Sequence, residues 1–205
     1  MPVDALAIDA SHLARRYGRR WGIADVSFQL PAGRVMMIAG RNGSGKTTLL
    51  RILSTAIRAD AGRASVGGHQ LTEREAIRRK TALLAHQSYL YESLTPRENL
   101  SLISRETTEV LDRVGLLDRA DDPVSTFSAG MRKRLSFARV LLQKPSIAFL
   151  DEPFGQLDPE GFALVEEVVG ELKRSGATVL IATHQVDRVA RFADAQLMLE
   201  HGRVA

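Results

Sequence analysis

Four short runs of the chain are apolar almost without a break: Val35 to Ala39, Thr81 to Ala85, Ile147 to Leu150 and Thr178 to Ala182. Runs of this length, closed off by glycine or charged residues, predict strands buried on both faces. Helical patterning fills the intervals, over Thr47 to Leu53, about Ser128 to Leu142, about Glu160 to Arg174, and about Asp187 to Phe192. Gly62 to Gly68 reads as an edge strand or hairpin, and a second hairpin is expected around His201-Gly202. From Ser88 to about Phe127 the texture is helical, opening with Thr95-Pro96-Arg97-Glu98. There Thr95 is placed to cap, Pro96 to take the first helical position and Glu98 to reach back. Strands alternating with helices predict an α/β fold with a mostly parallel, covered sheet. No internal repeat or low-complexity linker interrupts it.

Composition narrows the picture. At 205 residues, 44% apolar and 25% charged, the chain suits one globular domain with a small insertion. The absence of cysteine excludes disulfides, thiolate metal sites and Cys nucleophiles. No apolar run approaches the roughly 18 to 20 residues that span a bilayer. Asp4 and Asp9 flank only the short patch Leu6 to Ile8, so neither a signal peptide nor an anchor is expected. The expectation is a cytoplasmic protein that meets a membrane only through a partner. A net charge of +4 with no concentrated basic face gives no expectation of nucleic-acid binding. The cluster Arg15, Arg16, Arg19 and Arg20 reads as a solvated rim.

The chemistry lies where strands end. Gly40-Arg41-Asn42-Gly43-Ser44-Gly45-Lys46-Thr47 fits G-x-x-x-x-G-K-[ST], between an apolar strand and a helix that continues through Thr48. Bare backbone N–H groups of such a loop wrap phosphate oxygens, and the following helix start adds its positive dipole end. Lys46 is expected to reach the β and γ phosphates, and the Thr47 hydroxyl to bind Mg2+. The strand Ile147 to Leu150 ends in Asp151-Glu152, at the sheet edge where open α/β folds hold ligands. Asp151 is expected to hold Mg2+ through a water, and Glu152 to orient and deprotonate an attacking water. His184, just beyond Thr178 to Ala182, is expected at the same edge, where it can donate to a γ phosphate. His12, His69, His86 and His201 show no metal-ligand spacing.

The order Tyr17, phosphate loop, Gln87, Phe127-Ser128-Ala129-Gly130-Met131, Asp151-Glu152, Gly155-Gln156-Leu157-Asp158, His184 resembles the ATP-binding subunit of ABC transporters over essentially the whole chain. That resemblance implies a P-loop NTPase fold of ABC type, with an N-terminal antiparallel β region, a catalytic core of residues 1–87 and about 128–205, and a helical subdomain at about 88–127. It implies ATP and Mg2+ as ligands and a head-to-tail pair of subunits, a homodimer in the simplest case. Each ATP would lie on the phosphate loop of one subunit and under Ser128 to Met131 of the other. Tyr17 would stack on adenine, Gln87 would contact Mg2+ and link to integral membrane subunits, and Asp158 would cross the seam. The place implied is the cytoplasmic side of the inner membrane.

Two departures from the family pattern stand out. The signature reads FSAGM instead of LSGGQ, which keeps Ser128 and Gly130 but puts Met131 where a Gln would make polar contacts. Gly155-Gln156 stands where Ser-Ala usually precedes Leu-Asp. Tyr89, Leu90 and Tyr91 suit either a groove for a helix of a membrane partner or the core of the helical region. The stop at Ala205, the short stretch between Gln87 and Ser128, and the runs FSAGMRKRLSFARVLL and LDEPFGQLDPEG look most like the ATPase subunit of the cytochrome c maturation haem exporter. ATPases of drug, lipid or polysaccharide exporters share every motif and form the alternative. ABC ATPases that act on DNA or ribosomes fit less well, because they need long coiled coils or two ATPase units in one chain. Glu152 and His184 together oppose a protein that binds nucleotide without turnover.

Overall fold

The computed structural model describes residues 5–85 and 88–205. It opens with two long antiparallel strands, β1 (Leu6–Tyr17) and β2 (Arg20–Pro31), joined by a tight turn. There follow β3 (Val35–Ala39), α1 (Lys46–Leu53), the hairpin β4 (Ala61–Val66) and β5 (His69–Gln70), α2 (Arg74–Lys80) and β6 (Thr81–Leu84). Next come α3 (Pro96–Ser101), α4 (Thr108–Arg113), two 3-10 turns at Leu117–Arg119 and Val124–Thr126, and α5 (Ala129–Gln143). The chain closes with β7 (Ile147–Asp151), α6 (Pro159–Arg174), β8 (Thr178–Thr183), α7 (Val186–Ala190), β9 (Ala195–Glu200) and β10 (Arg203–Val204).

The apolar runs become the middle of a six-stranded sheet in the order β10-β9-β3-β8-β7-β6, parallel except for the β9–β10 hairpin. Alternate residues of each strand enter different cores. Val35, Met37, Ala148, Leu150, Val179 and Ile181 face the helices α5 and α6, and Met36, Ile38, Phe149 and Leu180 face α1 and the N-terminal sheet. Burial on both faces is the reason these strands carry no polar alternation.

The second sheet, β2-β1-β4-β5, is antiparallel. The hairpin read at Gly62 to Gly68 is β4 and β5, whereas β1 and β2 show no clean run because bulges break their phase. Register shifts fall between Ala10 and Leu13, and His12 and Asp25 adopt φ of 54° and 62°. Each bulge moves the next side chains to the other face.

The helical texture of 88–127 condenses into α3, α4 and the two 3-10 turns. Thr95 accepts from the Glu98 N–H, Glu98 accepts in return from the Thr95 N–H, and Pro96 begins the helix. Leu100, Leu111, Val114, Val124 and Phe127 of this stretch share the core that holds α5 and α6.

In the sheet order, β8 lies between β3 and β7, with Ala39 opposite Thr183 and Asp151 opposite Ala182. The three strands therefore end together. The phosphate loop, Asp151-Glu152 and His184 emerge side by side at one edge.

Candidate nucleotide site

The loop after β3 requires its glycines. Gly40 and Gly45 hold φ of 149° and 107°, and a Cβ on either would lie 2.3 Å from a backbone oxygen, of Leu199 and Gly22 respectively. The chain thus turns tightly enough for α1 to begin at Lys46 with no side chain capping it. Its orphan N–H groups are left for a ligand. Ser44 Oγ is buried and has no hydrogen-bond partner, as expected of a cradle built for phosphate oxygens. Lys46, 6% exposed, donates from Nζ to the carbonyls of Gly40 (2.7 Å) and Arg41 (3.2 Å) and lies 4.0 Å from Glu152 Oε1.

At the end of β7 the two carboxylates diverge. Asp151 is buried and accepts from the Thr47 hydroxyl at 3.0 Å. Glu152 turns into the left-handed region at φ 45°, a conformation costly for a residue with a side chain and one that aims the carboxylate back over the loop. Its Oε2 accepts from Thr183 Oγ1 (3.2 Å) and the His184 N–H (3.4 Å) and lies 3.0 Å from His184 Nδ1. His184 is thus engaged at Nδ1, and its ring is half-exposed. A hydroxyl and a buried carboxylate side by side, next to a phosphate cradle, form a donor set that suits a hard divalent cation.

These groups border a cavity of about 450 Å3. Tyr17, Asn42, Gly43, Ser44, Gly45, Lys46, Thr47, Thr48, Glu152 and His184 line it. Gly40, Arg41 and Asp151 stand directly behind this lining, through their contacts with Lys46 and Thr47. Tyr17 lies over Gly22, where a Cβ would come within 2.7 Å of the ring, and the Arg15 guanidinium lies 5.4 Å from the ring centre. Arg15 also pairs with Asp60, so this member of the arginine cluster is built in, whereas Arg16, Arg19 and Arg20 are exposed as expected. Gln87 lies outside the described residues.

Ser128, Gly130 and Asp158 are not part of the cavity. Ser128 caps α5, its Oγ accepting from the Met131 N–H at 3.2 Å. Gly130 packs so close to the loop after β7 that a Cβ would sit 3.0 Å from the Gln156 carbonyl. Asp158 caps α6 through the Gly161 N–H (2.8 Å) and pairs with Arg134 (3.1 Å). The Gly161 N–H foremost, aided by Arg134, holds its carboxyl below the usual range. Met131 packs against the core that includes α5 and α6.

The alternatives for residues 89–91 divide. Tyr89 and Tyr91 are 52% and 61% exposed, while Leu90 packs into the core, and Arg139 donates to the Tyr89 carbonyl at 2.7 Å. Gly155 and Gln156, the second departure from the family pattern, also line the nucleotide cavity, as do Lys133 and Gly22, which no motif singles out. Lys133 lies in the basic run Arg132-Lys133-Arg134, where no local pattern marks its burial. Its spacing of three from Gly130 was the available signal, since it puts both on one face of α5.

The family model described as "ABC transporter" matches residues 23–155. A "Daunorubicin resistance ATP-binding protein DrrA3" from Streptomyces coeruleorubidus is 37% identical, over 100% of this chain and 68% of that protein. A "Daunorubicin/doxorubicin resistance ATP-binding protein DrrA" from Streptomyces peucetius is 36% identical, over 97% of this chain and 64% of that protein. The chain thus spans about two thirds of the length of these curated relatives. Among solved structures, the "Dimeric Structure of MJ0796, a Bacterial ABC Transporter Cassette" superposes with a TM-score of 0.88 at 25% identity, covering 96% of each chain.

Proposed function

We propose that this chain, which belongs to the ABC transporter family and is an ATPase of that family, drives an exporter of a drug, lipid or polysaccharide, with a drug-like compound favoured. The observation that carries the catalytic part is Glu152, bent over the phosphate loop and held between Lys46, Thr183 and His184. Lys46, the loop N–H groups and the α1 terminus grip the triphosphate. Thr47, Asp151 through a water, and Gln87 would hold Mg2+, which would supply charge neutralisation at the phosphates. Glu152 takes the proton of the attacking water, with His184 fixing its carboxylate and presenting the remaining ring nitrogen to the γ phosphate. Tyr17 stacks on the base.

Ser128 and Gly130 lie outside this cavity, and their chemistry, a capped helix start with free N–H groups, suits a phosphate of a second copy. The reading is therefore a head-to-tail pair, supported by a solved relative that is dimeric. Asp158 belongs at that seam, through the loop it anchors. Integral membrane subunits would dock on the helical region 88–127 near the exposed Tyr89 and Tyr91, placing the chain at the cytoplasmic face of the membrane. No helix among the described residues is long and apolar enough to cross a membrane itself.

The haem-export reading rested on the signature run and chain length alone. The drug-resistance relatives favour the alternative, an exporter of drug, lipid or polysaccharide.

The test is Glu152→Gln. Removing the base without changing shape is expected to leave ATP binding within about threefold and to cut turnover on the order of 10²-fold or more. With ATP and Mg2+ the variant should accumulate as a dimer in light scattering. Unchanged steady-state ATPase would remove Glu152 from its role.

A further inference from the structure

Lys133 is a buried ammonium that the mechanism above leaves unused. It lies in the second turn of α5, is 7% exposed, and donates from Nζ to the Asp151 backbone carbonyl at 3.3 Å. Its side chain borders the nucleotide cavity beside Glu152 and also a second cavity of about 400 Å3 next to Ala85, Ser88 and Glu92. It therefore stands at the junction of three parts: the catalytic strand end, the helix that Ser128 begins, and the loop leading into the helical region.

A charge in this place carries a cost. Burial pushes the Lys133 pKa down to about 8, against the pull of Asp151 and Glu152. A methionine fills similar space without that desolvation, and replacing buried charge by a packed apolar side chain is often neutral or stabilising. The ammonium is thus poorly explained by packing. Its surroundings explain it better, because the carboxylates of Asp151 and Glu152 converge there, and a triphosphate on the loop would add charge of the same sign.

We propose that Lys133 is a positioning residue for ATP hydrolysis, its positive charge holding the end of β7 so that Glu152 keeps its bent geometry beside the phosphates. The role rests on Glu152 being the general base. Lys133 and Gly130, three apart on α5, also tie the helix start that faces a second copy to the catalytic carboxylates of this chain. A shift at the partner's nucleotide has a direct mechanical route to Glu152.

Lys133→Met and Lys133→Gln test the proposal, read by Tm without nucleotide, by ATP binding in equilibrium dialysis, and by kcat and KM. For both variants the expected result is a Tm equal to or above that of the unaltered chain, binding within about threefold, and kcat lower by roughly 10- to 100-fold. A kcat within twofold of the unaltered chain in either variant overturns the proposal. So does a kcat loss that follows a lowered Tm, which would make Lys133 a packing residue. Glu152→Gln, run in parallel, separates the two failures. If it also leaves turnover intact, the assignment of the base is wrong; if it alone stops turnover, only the role of Lys133 falls.

Discussion

Two helix starts in this molecule suit phosphate, and they differ in what surrounds them. α1 begins at the floor of a cavity whose other walls come from the same chain: Glu152 from β7, His184 from β8 and Tyr17 from β1. α5 begins outside that cavity, with Ser128 satisfying the Met131 N–H. On the proposed reading, the sheet edge builds a grip and a base within one chain, and the start of α5 acts only when another molecule brings a triphosphate to it.

The sharpest way to break the comparison is at α1. Lys46→Ala removes a desolvated cation, and ATP affinity measured by equilibrium dialysis is expected to fall roughly 10- to 100-fold. An affinity within twofold would mean that the loop does not grip phosphate. At α5 the expected effect is smaller and of another kind. Ser128→Ala should leave ATP affinity unchanged, lower turnover about 10-fold, and cost about 1 kcal/mol in urea unfolding through loss of the cap. A fall in affinity equal to that of Lys46→Ala would place Ser128 in the same chain's site.

The smallest effect concerns the support of the loop. Asp194 accepts from the Val35 N–H and from Lys173, both at 2.8 Å, and so pins the start of β3. Burial alone would raise its pKa, but Lys173 and the Val35 N–H outweigh it and the net shift is downward. A carboxyl more acidic in the folded state stabilises the fold above its unfolded pKa of 3.8 and loses that contribution as pH falls through the lower folded value. Asp194→Asn should therefore cost about 1 kcal/mol at pH 7 and flatten the acid side of the stability profile below about pH 4. A stability curve parallel to that of the unaltered chain down to pH 2 would contradict it.

The same contrast governs what was legible in the residues. The phosphate loop, Asp151-Glu152 and His184 could be read because each follows a strand buried on both faces, and such strands have one apolar pattern. β1 and β2 could not, since the bulges at His12 and Asp25 shift the alternation partway along. α2 was missed for a different reason: Ile77 is its only buried residue, so it shows no apolar stripe. Lys133 stayed hidden because a lysine between two arginines carries no sign of its own burial. The bend at Glu152 and the pairing of Asp158 with Arg134 depend on contacts between distant segments, which no local pattern encodes.

The central claim, that the start of α5 serves the nucleotide of another copy, is tested most directly by mixing two inactive chains. Lys46→Ala keeps Ser128 but grips ATP too weakly for turnover; Ser128→Arg keeps the grip but blocks the helix start. Mixed in equal amounts, they can assemble one intact site, and ATPase activity is predicted to rise well above the sum of the two alone. A mixture that shows only that sum would contradict the account.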